Sequence, residues 1–259
     1  MLIKRKSIEK EESSRPARKV KYAPVTLSEQ DGVRYLHFGT EWVQGAMRIR
    51  KPDWPELEYA QQMMSWMLWL PQPRAVAQLG LGTGALTKYC YKQFPEAQVT
   101  AVELNPSVIA ICASMFKLPP NDARLAVLEM DALDFVHDAQ RHGTLDVLQV
   151  DLYDATAKGP VLDTAEFYQA CCACLTEQGI MTVNLFGDHP SYARNVKAMK
   201  FAFEQVVCLP EVHDGNVVAI AFKRKRPIDL AALAERAAAI VAATKLPAKS
   251  WVKGLAAAQ

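Results

Sequence analysis

The sequence predicts an α/β fold, a mostly parallel sheet with helices on both faces, and three observations predict it. Strand-like and helix-like segments alternate from residue 74 onward, a glycine-rich turn follows the first strand of that series, and the series closes in two successive strand-like runs. Alternation of this kind builds parallel sheets, because each crossover has to carry the chain back through a helix.

The first 24 residues hold eight Lys or Arg (4, 5, 6, 10, 15, 18, 19 and 21) against Glu9, Glu11 and Glu12. That local excess of +5 leaves the rest of the chain near −3 within a net charge of +2. Residues 1–24 are expected to be a disordered, solvated leader, with contact to nucleic acid as the rival reading. "VRYLHFG" and "EWVQGAMRIR" read as two strands meeting at Gly39-Thr40, so residues 25–53 are expected to form a small N-terminal β-hairpin. "WPELEYAQQMMSWMLWL" reads as a helix with Tyr59, Met63, Trp66, Met67 and Leu70 on one face, stopped by Pro71 and Pro73.

Residues 54–226 are expected to be the main domain. "RAVAQLG", "AQVTAVEL", "ARLAVLEM", "LDVLQVDLY" and "GIMTVNLF" supply its strands. Helices are expected at 84–94, after Pro106, in a short stretch before Leu145, near 161–176, and at about 190–204. "FEQVVCLPEVHDGNVVAIAFKRK" then reads as two strands joined at His213-Asp214-Gly215-Asn216. A terminal antiparallel pair is the usual ending of a Rossmann-like class I S-adenosylmethionine-dependent methyltransferase fold. Residues 227–259 are expected to be an alanine-rich C-terminal helix and tail, packed on the same domain through Leu230, Leu233, Ala237, Ile240 and Val241.

No apolar run approaches the ~20 residues of a membrane helix, and charged residues follow Met1-Leu2-Ile3 almost at once, so no membrane span or signal segment is expected. The six cysteines lack disulfide or zinc spacing, and His37, His137, His142, His189 and His213 lack paired spacing with Cys or acids. Reduced thiols, a cytoplasmic location and no bound metal follow as expectations.

The chemistry begins at "AQLGLGTGAL", residues 77–86. Gly80, Gly82 and Ala85 fit the dinucleotide pattern, while Gly80, Gly82 and Gly84 fit the tighter turn of S-adenosyl sites. The terminal hairpin shifts the reading toward an S-adenosyl ligand. Glu103 ends the second strand of the series, where a carboxylate can accept both ribose hydroxyls. Asp131 follows the third strand, placed to accept the adenine amine, with the Ala132 N–H in reach of a ring nitrogen. Asp151 and Asp154 follow the fourth and make a negative mouth suited to cations. Any one of these acids could be a helix N-cap, but four at consecutive strand ends form a pattern.

Across residues 33–222 the chain resembles the spermidine synthase family of aminopropyltransferases. The resemblance rests on "LGLGTGAL", Glu103 in "VELNPSV", Asp131 in "MDALDFV", Asp151 and Asp154 followed by Gly159-Pro160, Phe167-Tyr168, and "WVQGAMRIRKPDWPELEY". It implies decarboxylated S-adenosylmethionine as co-substrate, with intact S-adenosylmethionine as the alternative and no prosthetic group. It also implies a diamine acceptor such as putrescine, release of methylthioadenosine, a small-molecule polyamine partner and a homodimer. Nucleic acid is not expected. It assigns the co-substrate to Gln44, Gly80, Gly82, Gly84, Glu103, Asp131 and Ala132, the acceptor to Tyr59 and Asp154, and amine activation to Asp151. The chain departs from the family pattern at Thr83, which stands where the family has an aspartate, at Ala60-Gln61, and at residues 213–216. A methyltransferase of unknown acceptor and a non-catalytic S-adenosyl-binding paralogue are the alternative readings.

Overall fold

The computed structural model describes residues 22–153, 162–212 and 215–257. Three strands open it: β1 (Thr26–Gln30), β2 (Val33–His37) and β3 (Val43–Arg48), antiparallel in the order β1-β2-β3. The expected hairpin is therefore the second half of a three-stranded sheet. The additional strand comes from Asp31 and Gly32, whose φ angles of 51° and 75° form a two-residue turn that pairs Gln30 with Val33.

Seven strands make the central sheet: β4 (Ala75–Leu79), β5 (Gln98–Glu103), β6 (Leu125–Glu129), β7 (Leu145–Val150), β8 (Leu175–Phe186), β9 (Gln205–Cys208) and β10 (Asn216–Phe222). Their order is β6-β5-β4-β7-β8-β10-β9. Neighbours from β6 through β8 are parallel, and β10 runs antiparallel to both β8 and β9. This is the expected Rossmann-like methyltransferase sheet. After β6 the chain crosses back to the far side of β4, so the order breaks between β4 and β7 and a crevice opens at their carboxyl ends.

Both faces of the central strands are buried, so they read as mostly apolar runs rather than as alternating ones. Val76, Val147, Ile180, Val218 and Ile220 face one core, with α2 (Ala85–Gln93), α7 (Leu230–Thr244) and α8 (Ala248–Ala257). Ala77, Leu148, Met181, Val217 and Ala219 face the other, with α4 (Ala132–His137), α5 (Ala165–Cys174) and α6 (Ser191–Ala202). The three-stranded sheet joins the body through Leu36 and Met47, which pack on Leu81, Ala101 and α3 (Pro106–Met115).

Two expected elements differ. The helix expected over 54–70 is a short α1 (Glu58–Gln62) passing into a 3-10 turn over Met63–Leu68, buried on all sides rather than along one stripe. It is sandwiched between the sheet and the C-terminal helices. Gln149 Nε2 and Thr182 Oγ1 donate to the Met63 carbonyl from beneath, and Arg236 Nε donates to the Met67 carbonyl from α7. Those outside donors satisfy carbonyls that the tighter winding leaves open. Beyond the alanine-rich helix the chain forms a second helix, α8, over Ala248–Ala257. Ala248, Trp251, Val252 and Leu255 form its buried stripe, and Trp251 is 1% exposed.

Candidate active site

A cavity of about 650 Å³ opens at the break in strand order, within the size range of small-molecule sites. Gly80 follows β4 and Asp151 follows β7, side by side, with the Asp151 N–H donating to the Leu79 carbonyl at 2.9 Å. Gly80 has φ +86°, and a Cβ there would lie 2.2 Å from the Asp151 carbonyl oxygen, so only glycine fits. Gly82 also lines the cavity, whereas Gly84 does not. Gly84 has the left-handed φ of 66° at the N-cap of α2, which turns the loop into the helix.

Glu103 faces the cavity with both carboxylate oxygens already anchored. Oε2 accepts the Leu81 N–H at 3.0 Å, and Oε1 accepts the Asn105 N–H at 2.8 Å. Burial pushes its pKa up, and the Asn105 and Leu81 amides oppose that shift. A carboxylate has about four lone-pair sites, so these amides leave acceptor capacity for a ligand hydroxyl. Asp131 caps α4, its Oδ1 accepting the Leu133 N–H at 2.8 Å, and it lines the cavity together with Ala132. It is thus an N-cap and a cavity residue at once.

Asp151 lies across from them. Its Oδ1 accepts from Asn184 Nδ2 at 2.9 Å, and its Oδ2 accepts from the Tyr59 hydroxyl at 3.3 Å. Burial raises its pKa, and these two donors pull it back. Gln44, on β3, completes the wall beside Gly82. Asp154, Gly159, Pro160, His213 and Asp214 lie outside the described residues.

The structure brings together Gln44, Tyr59, Gly80, Gly82, Glu103, Asp131, Ala132 and Asp151 on one cavity. It also adds residues that the sequence did not assign to the site, and it places Asn216, expected in the turn, at the start of β10. Asn184, Asn216 and Tyr153 extend the polar row behind Asp151, with Phe186 beside them. At the mouth stand Tyr22, Tyr35, Phe38, Leu104 and Trp42, the last 58% exposed. An isolated asparagine in a strand has no spacing signal; an exposed tryptophan in a short turn is the one sequence cue that was available.

Thr83 and Phe167-Tyr168 are placed elsewhere. Thr83 is 2% exposed under β3, its hydroxyl donating to the Ala46 carbonyl at 3.4 Å, in a side recess of only about 20 Å³. Gly45 makes room for it, since a Cβ there would meet Thr83 Cγ2 at 2.7 Å. Phe167 and Tyr168 are core residues, with the Tyr168 hydroxyl donating to Asn195 Oδ1 at 2.6 Å.

The charge of the cavity is one-sided. Glu41, Glu103, Asp131 and Asp151 line it, and no lysine, arginine or histidine does so among the described residues. Such a site favours cations and disfavours an unpaired carboxylate. All six cysteines are free thiols, and no helix of the described chain is long and apolar enough to cross a membrane.

The sheet order and a ligand-sized cavity at its switch point define a class I methyltransferase-like protein. Comparison with known proteins narrows this class. The model of the spermine/spermidine synthase domain matches residues 58–230. A polyamine aminopropyltransferase of Neisseria meningitidis is 33% identical over 211 residues, 81% of this chain and 79% of the relative. One from Chromobacterium violaceum is 31% identical over 201 residues, 77% of this chain and 76% of the relative. A crystal structure of a probable spermidine synthase from Corynebacterium glutamicum shares the fold, with a TM-score of 0.70 and 18% identity over 91% of each chain. The chain belongs to the spermine/spermidine synthase family, and it is a transferase of the aminopropyl-transferring kind.

Proposed function

We propose that the cavity binds decarboxylated S-adenosylmethionine and a diamine such as putrescine, and transfers the aminopropyl group between them. The observation that carries this reading is the wall of four carboxylates with no described cation. Sulfonium and ammonium groups both gain from such a wall. The carboxylate of intact S-adenosylmethionine would find no positive partner among the described residues and would lie in the field of Asp151. Burying an unpaired charge is costly, so the decarboxylated donor is preferred by exclusion of the intact one rather than by a dedicated contact at Thr83.

In this reading Glu103 accepts the ribose hydroxyls, Asp131 and the Ala132 N–H hold adenine, and Gly80, Gly82 and Gln44 border the sulfonium end. The attacking amine sits between Asp151 and Tyr59, and Asp154 takes the far amine. The amine lone pair forms a bond to the carbon next to sulfur. The C–S bond breaks, its electron pair stays on sulfur, and methylthioadenosine leaves as a neutral thioether. The amine proton passes to Asp151 and then to solvent. A carboxylate is a weak base toward an alkylammonium, even with its pKa raised by burial. Positioning and charge complementarity therefore supply most of the rate.

The free thiols suit a cytoplasmic protein, and a homodimer of the 28.8 kDa chain would be seen by sedimentation. The functional test is methylthioadenosine release from the decarboxylated donor with putrescine, spermidine or cadaverine. A protein that binds the nucleoside but releases none with any amine is not an aminopropyltransferase.

A further inference from the structure

Behind Asp151 runs a row of polar side chains drawn from separate elements. Asn184, 2% exposed within β8, donates from Nδ2 to Asp151 Oδ1 at 2.9 Å. Its own Oδ1 accepts from Asn216 Nδ2 at 2.9 Å, and Asn216, the first residue of β10, also lies 3.4 Å from the Tyr153 hydroxyl oxygen, which accepts. Register places Asn184 opposite Val218 and Asn216 opposite Phe186, two residues apart on adjacent antiparallel strands. That diagonal lets the two side chains meet.

A buried amide can offer either its NH2 or its oxygen to a neighbour. Turned oxygen-first, Asn184 would repel the Asp151 carboxylate. Asn216 removes that choice, because its NH2 engages the Asn184 oxygen and leaves the Asn184 NH2 for Asp151. The carboxylate plane is then fixed between Asn184 and Tyr59, with a lone pair on each oxygen open toward the cavity. We propose that Asn216 is a positioning residue that, through Asn184, fixes the Asp151 carboxylate in the orientation that receives the attacking amine. The inference rests on Asp151 being the amine-receiving group.

Among the described residues, the titratable groups facing Asp151 are Tyr59 from α1, Tyr153 from its own loop, and Glu103 and Asp131 across the cavity, with Glu41 at the mouth. None is a cation, so the row of donors is what the described structure offers to hold Asp151 ionised against its burial. Removing a donor shifts the balance toward the protonated form. The acid side of any Asp151-dependent process then moves to higher pH.

The test is a titration of the free protein by carbon NMR, with label on aspartate carboxyl carbons and the Asp151 signal assigned by its loss in Asp151→Asn. Asn184→Leu and Asn216→Leu should each raise the Asp151 midpoint by about one pH unit, the scale of one lost hydrogen bond to a carboxylate. Asn216→Gln, which keeps an amide donor, should stay with wild type, and methylthioadenosine affinity should be unchanged in all three. If Asn216→Leu does not fold, Asn216→Ala is read in the same way. In the turnover assay, the acid limb of the pH–rate profile should move by the same amount. An Asp151 midpoint that does not move in Asn216→Leu, or in Asn216→Ala where that variant is read instead, overturns the inference, as does a rate loss equal at every pH. The titration uses no substrate, so failure of aminopropyl transfer in the wild-type protein is a separate result.

Discussion

Gly80 and Asp151 meet across the break in strand order so closely that a single methyl group on Gly80 would lie 2.2 Å from the Asp151 carbonyl oxygen. The glycine loop and the acid after β7 are thus one rigid unit. Gly80→Ala forces a left-handed alanine, at about 1–2 kcal/mol, and a backbone collision as well. We expect a fall in Tm of several degrees, on the scale of about 2–4 °C per kcal/mol for a chain of this size, with loss of methylthioadenosine binding. Wild-type affinity in a folded Gly80→Ala protein would show that the loop does not border the ligand.

Glu103 both anchors the loop, through Leu81, and faces the cavity. Glu103→Ala should weaken every adenosyl ligand by about 1–3 kcal/mol, the scale of a hydrogen bond to a charged group. Calorimetric titration with methylthioadenosine measures it. Unchanged affinity would remove Glu103 from the nucleoside site.

Donor choice follows from a cavity wall that carries carboxylates and no lysine, arginine or histidine among the described residues. The protein should bind the decarboxylated donor at least about tenfold more tightly than intact S-adenosylmethionine, a difference of about 1.4 kcal/mol. Competition against methylthioadenosine reads the ratio directly. Equal affinities would mean that a positive group reaches the donor's carboxylate.

Stability should depend on pH with an unusual sign at the site. Burial raises the pKa of Asp151, so the folded state holds its proton more tightly than the unfolded chain does. The cost of the ionised form is absent below the ordinary aspartate range, grows as pH rises through it, and is complete above the raised pKa. Asp151→Asn should therefore unfold at a higher temperature than wild type at pH 7–8, with the gain disappearing toward pH 4. A gain that persists at pH 4 would point to packing rather than charge.

Much of the fold between residues 74 and 204 was legible, because each strand there is an apolar run bounded by glycine, proline or a capping residue such as Asn105. What escaped was set by contacts between distant segments. The 3-10 turn at Met63–Leu68 depends on donors from Gln149, Thr182 and Arg236, which no local pattern foretells. Strand β1 and helix α8 did leave signals, the Asp31-Gly32 turn and the 248, 251, 252, 255 stripe. At the site, the strand-end acids were readable because topology alone brings them together. Asn184, and its pairing with Asn216, were not, since that partnership is a cross-strand diagonal. Thr83 stands where the family has an aspartate, and the three-stranded sheet covers it.

The central claim, that Asp151 receives and orients the attacking amine, is tested most directly by methylthioadenosine release from decarboxylated S-adenosylmethionine and putrescine, measured side by side for wild type and Asp151→Asn. The substitution keeps the shape of the side chain and removes its charge. The account predicts a rate lower by about 10²-fold or more, the range for a positioned base, with methylthioadenosine affinity within a few fold of wild type. Turnover in Asp151→Asn close to the wild-type rate, with the nucleoside still bound, would contradict it.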